Sequence, residues 1–230
     1  MATIAIKGNI TPASAREFRR DLDRATGDLV VEINSAGGST AGGMDQYLGI
    51  KDYGRGKVTA LVHHSGSAAT LAMVACSEVV MASEKAEIYI HLPTIHVQET
   101  TELGDDDLRE ALTNLQATTG IVAGLYSEKS GKDVAWWKEM LRLGVTWSAR
   151  GAVNVGLADR VIESDRVPLP RVSNASGTAP KPAVADNLAK AIGVAFRAGI
   201  ETGVRVAAAK NAKQNGRSGW HRANGSPFGE

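Results

Sequence analysis

The stretch "DLVVEINSAGGSTAGGMDQYLGI" (Asp28–Ile50) decides how the chain is to be read. "DLVVEI" (Asp28–Ile33) is a short, almost continuously apolar strand, the pattern of a sheet covered on both faces. "NSAGGSTAGG" follows as a glycine-rich turn, and a helix is predicted from about Ala41 to Asp52. The same order recurs downstream. "KVTALVHH" is a strand, "SGSAA" a small-residue turn and "TLAMVAC" a helix. Strand, turn and helix in repetition predict an α/β fold with crossover connections.

Working outward, a first strand is predicted over Thr3 to Lys7, with Gly8-Asn9 as its turn. The helix after it has Thr11 as N-cap, Pro12 in its first turn, and Phe18 and Leu22 as a narrow apolar face. "EVVMAS" and "AEIYIH" are two more strands. Helices are predicted over Asp105–Lys129, Asp133–Leu143 and Ser148–Val155, and "LADRVIE" closes the folded part. The domain therefore spans residues 1–163. A linker rich in Pro, Ser and small residues covers 164–185, a helical extension 186–212 and a polar tail 213–230. The extension and tail carry a mild excess of Lys and Arg.

Composition narrows the function. The 230 residues carry 26 Lys and Arg against 25 Asp and Glu, a net charge of +1, which argues for neither a nucleic-acid nor a membrane partner. No apolar run reaches the roughly 18–20 residues of a membrane span, and no signal sequence precedes the first strand, so a cytoplasmic protein is expected. The single cysteine, Cys76, lies in an apolar run and reads as a buried structural thiol. No Cys/His cluster has ligand spacing, so neither metal nor cofactor is expected.

The chemistry-bearing residues fit acyl transfer, which needs a nucleophile, a base and donors for an oxyanion. Gly37-Gly38 follow a strand and leave a backbone N–H unobstructed by a side chain. Ser67 stands at the mouth of a helix, and Ala68 would present an N–H from the first turn. His91 ends the strand "EIYIH". Each feature alone has an ordinary structural explanation as a turn, a helix cap or a strand-end histidine. The elbow G-x-S-x-G is absent, and Ser65, Ser67 and Thr70 are all in contention on local pattern alone.

The ordered set resembles the Clp peptidase family. "EINSAGGSTAGGMDQYLGI" looks like that family's "INSPGG…AG" segment, "HHSGSAATLAM" its nucleophile segment, "EIYIHLP" its histidine strand and "RGAVNVGLADRV" its closing helix. The resemblance implies a crotonase-like fold of stacked ββα units with a long helical arm. It implies a serine endopeptidase with Ser67 as nucleophile, His91 as base, and Gly38 and Ala68 as oxyanion donors. Ser65 and Thr70 then become packing residues, and His63 and His64 end their strand, one facing each side. The family's acid falls at Gly144 or Val145, with Thr146 a weak substitute and Asp133 and Glu139 the nearest carboxylates in sequence. Family members form homo-oligomers, often rings, and act on protein or peptide substrates. The chain starts almost at its first strand, has "TW" before its last helix and carries a C-terminal extension. These resemble the bacteriophage head-maturation branch, which cuts capsid and scaffold proteins, and the extension is expected to bind such a partner. The alternatives are an ATPase-linked peptidase subunit, a crotonase-like acyl-CoA enzyme and a non-catalytic scaffold subunit.

Overall fold

The computed structural model describes residues 1–95 and 103–162. The linker, helical extension and tail expected over 164–230 lie outside the described residues.

Strand β1 (Ala2–Ile10) leads through Thr11 into α1 (Pro12–Arg24). A capping box starts α1. The Thr11 hydroxyl accepts from Ser14 N–H at 3.1 Å, and Thr11 N–H donates to the Ser14 hydroxyl at 2.9 Å. Phe18 and Leu22 are buried as their i, i+4 spacing predicts. Next come β2 (Leu29–Gly38), α2 (Thr40–Lys51), β3 (Val58–Gly66), α3 (Ala69–Ala75), β4 (Glu78–Met81) and β5 (Glu87–Tyr89). The long α4 (Asp105–Ser130), then α5 (Val134–Leu143), β6 (Thr146–Ser148), α6 (Ala149–Val155) and β7 (Arg160–Val161) complete the described part. The result is the expected mixed α/β architecture.

Strands β1, β2, β3, β4 and β7 lie in that order, all parallel. The middle strand forks. Residues Thr59–Val62 of β3 pair with β4, and His64–Gly66 pair with β5, which itself pairs antiparallel with β6. The core sits between the sheet and α1–α3, where Leu29, Val31, Ile33, Ala60, Val62, Val79 and Met81 are all fully or nearly fully buried.

Three local expectations change. The first strand does not stop at Gly8. It bulges there, between Lys7 and Asn9, and runs on to Ile10. "NSAGG" is not a turn but the end of β2, because Asn9 and Ile10 continue the ladder opposite Gly37 and Gly38. Finally, β2 is covered fully on one face only. Leu29, Val31 and Ile33 are buried while Val30 and Glu32 are half-exposed, and Glu32 pairs with Lys7 at 3.1 Å and His63 at 3.1 Å.

Cys76 is buried against α3, and desolvation pushes its thiol up to about 12, consistent with a structural role. Glu78, at the start of β4, joins three strand ends. Its carboxylate meets Lys57 at 2.7 Å and Arg160 at 2.9 Å. The hydrogen bonds from Lys57 and then Arg160 hold its carboxyl below the ordinary carboxylate range. A depressed folded-state pKa contributes stability above the unfolded pKa and loses it as pH falls through the folded one. Glu78→Gln is therefore expected to lower stability by roughly 0.5–1 kcal/mol at neutral pH. Urea melts should show that difference vanishing below the ordinary carboxylate range, and a constant difference down to strongly acid pH would contradict it.

Candidate active site

In a parallel sheet, ligand sites form at the carboxyl ends of the strands. Here three such ends converge, those of β2, β3 and β5. Past Gly66 the main chain of β3 makes one further ladder bond to β5, from Ser67 N–H to the Tyr89 carbonyl at 2.7 Å. It then turns sharply. Ser67 has φ +49°, the one positive φ at a non-glycine position among the described residues. Such a left-handed, non-glycine backbone costs of order 1–3 kcal/mol and persists only where its surroundings hold it.

The bonds that hold it are on the far side of the turn. The Ser67 carbonyl accepts from Thr70 N–H at 3.1 Å and from the Thr70 hydroxyl at 2.5 Å. The side chain of Ser67 points the other way, and its Oγ lies 2.8 Å from His91 Nε2. His91 follows β5 by two residues rather than ending it, since the strand stops at Tyr89. Ile90 N–H donates to the Val145 carbonyl at 3.0 Å and so fixes the chain just before the histidine.

Of the hydroxyls in contention, Ser67 alone meets a histidine among the described residues. Ser65 is fully buried, and its hydroxyl has no partner there. Thr70 is also fully buried, but it is bonded to Ser67 and to Tyr126 Oη at 2.5 Å. Ala68 is 4% exposed, and among the described residues no carbonyl accepts from its N–H.

The glycine pair of β2 lies against this turn. Gly37 has φ +102°, and a Cβ there would come within 2.6 Å of the Gly66 carbonyl oxygen, 2.7 Å of Ser67 Cβ and 2.9 Å of Ala68 N. The Gly37–Gly38 peptide thus passes beside the Ser67–Ala68 turn. Ser35 fixes it, accepting from Gly37 N–H at 3.1 Å and donating to the Gly8 carbonyl at 2.6 Å. A groove runs past Ser67, Ala68 and His91, lined also by Thr40, Leu71, Pro93, Val122 and Tyr126.

No carboxylate meets His91 among the described residues, and its Nδ1 has no hydrogen-bond partner there. Gly144 is the left-handed cap of α5, Val145 gives its carbonyl to Ile90, and Thr146 pairs with Tyr89 across β5 and β6. Asp133 caps α5 through Ala135 N–H at 2.6 Å, and Glu139 is held by Arg142 at 2.6 and 2.8 Å. The group beside the imidazole is instead the Tyr89 ring, stacked on it with centroids 5.2 Å apart and planes 21° from parallel. Sequence reading passed over Tyr89, though i, i+2 spacing on a strand places Tyr89 and His91 on one face. It also passed over Tyr126.

His63 and His64 do not face opposite sides. A bulge between Ile33 and Asn34 of β2 and the opposing β3 residues breaks the alternation there. Both histidines stay accessible, His63 pairing with Glu32 at 3.1 Å and His64 with Glu87 at 3.2 Å. Neither is bonded to Ser67 or His91. Among the described residues no group of three or more His, Cys, Asp or Glu could hold a metal ion, and no helix is long and apolar enough to cross a membrane.

A serine hydroxyl on a histidine, at the strand ends of a mostly parallel sheet, is an arrangement that nucleophilic catalysis can use. Residues 3–165 match the family described as Clp protease, and the chain belongs to that family of serine peptidases. Among solved structures it is similar to the ClpP1 N165D mutant from Listeria monocytogenes, with a TM-score of 0.58 and 18% identity, covering 70% of this chain and 91% of that one. That likeness is one of fold. No curated protein matches the sequence.

Proposed function

We propose that this chain is a serine endopeptidase whose working pair is Ser67 and His91. The observation that carries the reading is the 2.8 Å contact between Ser67 Oγ and His91 Nε2, made by a serine held at positive φ. In this reading the Ser67 hydroxyl donates to Nε2 while Nδ1 keeps its proton. As Oγ attacks a peptide carbonyl, the proton passes to Nε2, and the tetrahedral oxyanion forms beside Ala68 N–H and Gly38 N–H. Collapse expels the amine, which takes the proton from His91. Water, deprotonated in turn by His91, then hydrolyses the acyl-serine.

Among the described residues it is the stacked Tyr89 ring, not a carboxylate, that holds the imidazole plane. The groove's Leu71 and Val122 favour an uncharged, apolar side chain before the cut bond. Oligomerisation through the exposed end of α4, where Leu108 and Leu112 are 52% and 56% exposed, belongs to the same reading. So does a role in phage head maturation, with capsid or scaffold protein bound by the C-terminal extension. That role rests on sequence features, chiefly the "TW" before α6 and the extension.

The test is covalent. A fluorophosphonate should label the folded protein, and peptide mass spectrometry should place the adduct on Ser67. No adduct on the folded wild type, or an adduct on another serine, would refute the reading.

A further inference from the structure

Thr70 and Tyr126 are not accounted for by the reaction above, yet both are buried and both are polar. A threonine hydroxyl has one proton. Thr70 gives that proton to the Ser67 carbonyl, so its contact with Tyr126 Oη must be one in which Tyr126 donates. Burial pushes the Tyr126 phenol well above its ordinary range, although the Thr70 bond pulls the other way, so the donor proton is always present. The tyrosine is itself fixed. Its ring packs on Trp137 with centroids 5.2 Å apart. Ser130 accepts from Trp137 Nε1–H at 2.8 Å and donates to the Tyr126 carbonyl at 2.7 Å.

The acceptor at the end of this chain is the carbonyl of the Ser67–Ala68 peptide, whose other end is the Ala68 N–H. Hydrogen bonds to a peptide oxygen draw charge along the amide and make its N–H a stronger donor. We propose that Thr70 and Tyr126 are positioning residues for the reaction, a two-hydroxyl relay that pins the strained Ser67 turn and strengthens Ala68 N–H toward the oxyanion. The proposal rests on the Ser67 mechanism above. Removing a whole oxyanion donor costs about 10²–10³, and each bond in a chain adds about 10–30% to its neighbour, so the relay is worth roughly two- to eightfold in rate.

The experiment uses the full chain with Thr70→Val, Thr70→Ser, Tyr126→Phe and the Val/Phe double variant. Peptide hydrolysis and fluorophosphonate labelling rates are read for each. Ala68 is also read by NMR after labelling serine carbonyls and alanine nitrogens, which selects the chain's four Ser-Ala pairs. Thr70→Val should lower kcat and the labelling rate several-fold with KM little changed, and move the Ala68 amide proton upfield. Tyr126→Phe should do the same more weakly, and Thr70→Ser should restore both readouts. Because Tyr126 acts through Thr70, the double variant should be no slower than Thr70→Val alone. The proposal is overturned if Thr70→Ser is as damaging as Thr70→Val, if Tyr126→Phe slows the Thr70→Val background further, or if the Ala68 resonance stays in place. Should Thr70→Val fail to fold, Tyr126→Phe carries the rate and NMR readouts alone. A wild type that reacts with no fluorophosphonate would refute the Ser67 mechanism, and the Ala68 shift would still decide whether the relay exists.

Discussion

Ser67→Ala is expected to abolish peptide hydrolysis to within background, a loss on the order of 10⁴ or more, while leaving the fold intact. Ser67 is only half-buried, and its side chain bonds to His91 alone among the described residues, so alanine leaves no core cavity. The bonds that stabilise the turn come from its main chain and survive the change. Thermal melting should therefore move little. His91→Ala should cost about as much in rate. The Ser67→Ala/His91→Ala double variant should be scarcely worse than either alone, because two groups that act as one unit are lost only once. Initial rates on a peptide library, with melting temperatures in parallel, measure both. If Ser67→Ala retains more than a tenth of wild-type turnover, the pair is not the source of the activity. If the two losses multiply in the double variant, the residues act separately.

Gly37→Ala should be nearly as damaging for a different reason. The new methyl would stand within 3 Å of three atoms, two of them backbone, and neither the Gly66 carbonyl nor Ala68 N can move without taking the Ser67 turn along. A positive φ of +102° adds strain of about 1–3 kcal/mol. Displacing one oxyanion donor costs about 10²–10³ in rate, so activity should fall at least a hundredfold with Ser67 and His91 both present. Gly27→Ala is the control. Gly27 also has positive φ (+69°), but a Cβ there meets nothing within 4 Å. It should lower stability and leave turnover per folded molecule unchanged. Equal loss of activity in the two variants would mean that general destabilisation, not the local contact, is responsible.

Much of this was legible beforehand, for physical reasons. Helix starts are local, so Thr11-Pro12 could be read directly as the cap and first turn of α1. Short apolar runs are local too, which placed β2 and β3. The Ser67–His91 pairing was reached only through the ordered motifs of a family, since spacing alone left three hydroxyls open. What escaped depends on register. Whether "NSAGG" is turn or strand is settled by Asn9 and Ile10 on another strand, and a bulge opposite Asn34 turned both histidines the same way. Thr70 looked like packing because its partner, Tyr126, is 56 residues on. Residues 144–146 could be read as lacking an acid, and strand spacing put Tyr89 on the face of His91, but the stacking of the two rings shows only in the fold.

The fork in β3 has a consequence for how such a site can change over time. Ser67 and His91 hang from one seam of main-chain hydrogen bonds, continued by Ser67 N–H to Tyr89 and Ile90 N–H to Val145. Their spacing is set by main-chain amides, while the Thr70 and Tyr89 side chains hold the orientation of each within it. A change at a third side chain would then retune the chemistry without dissolving the pair. Tuning and assembly are heritable separately, which lets one scaffold hold fast and slow peptidases.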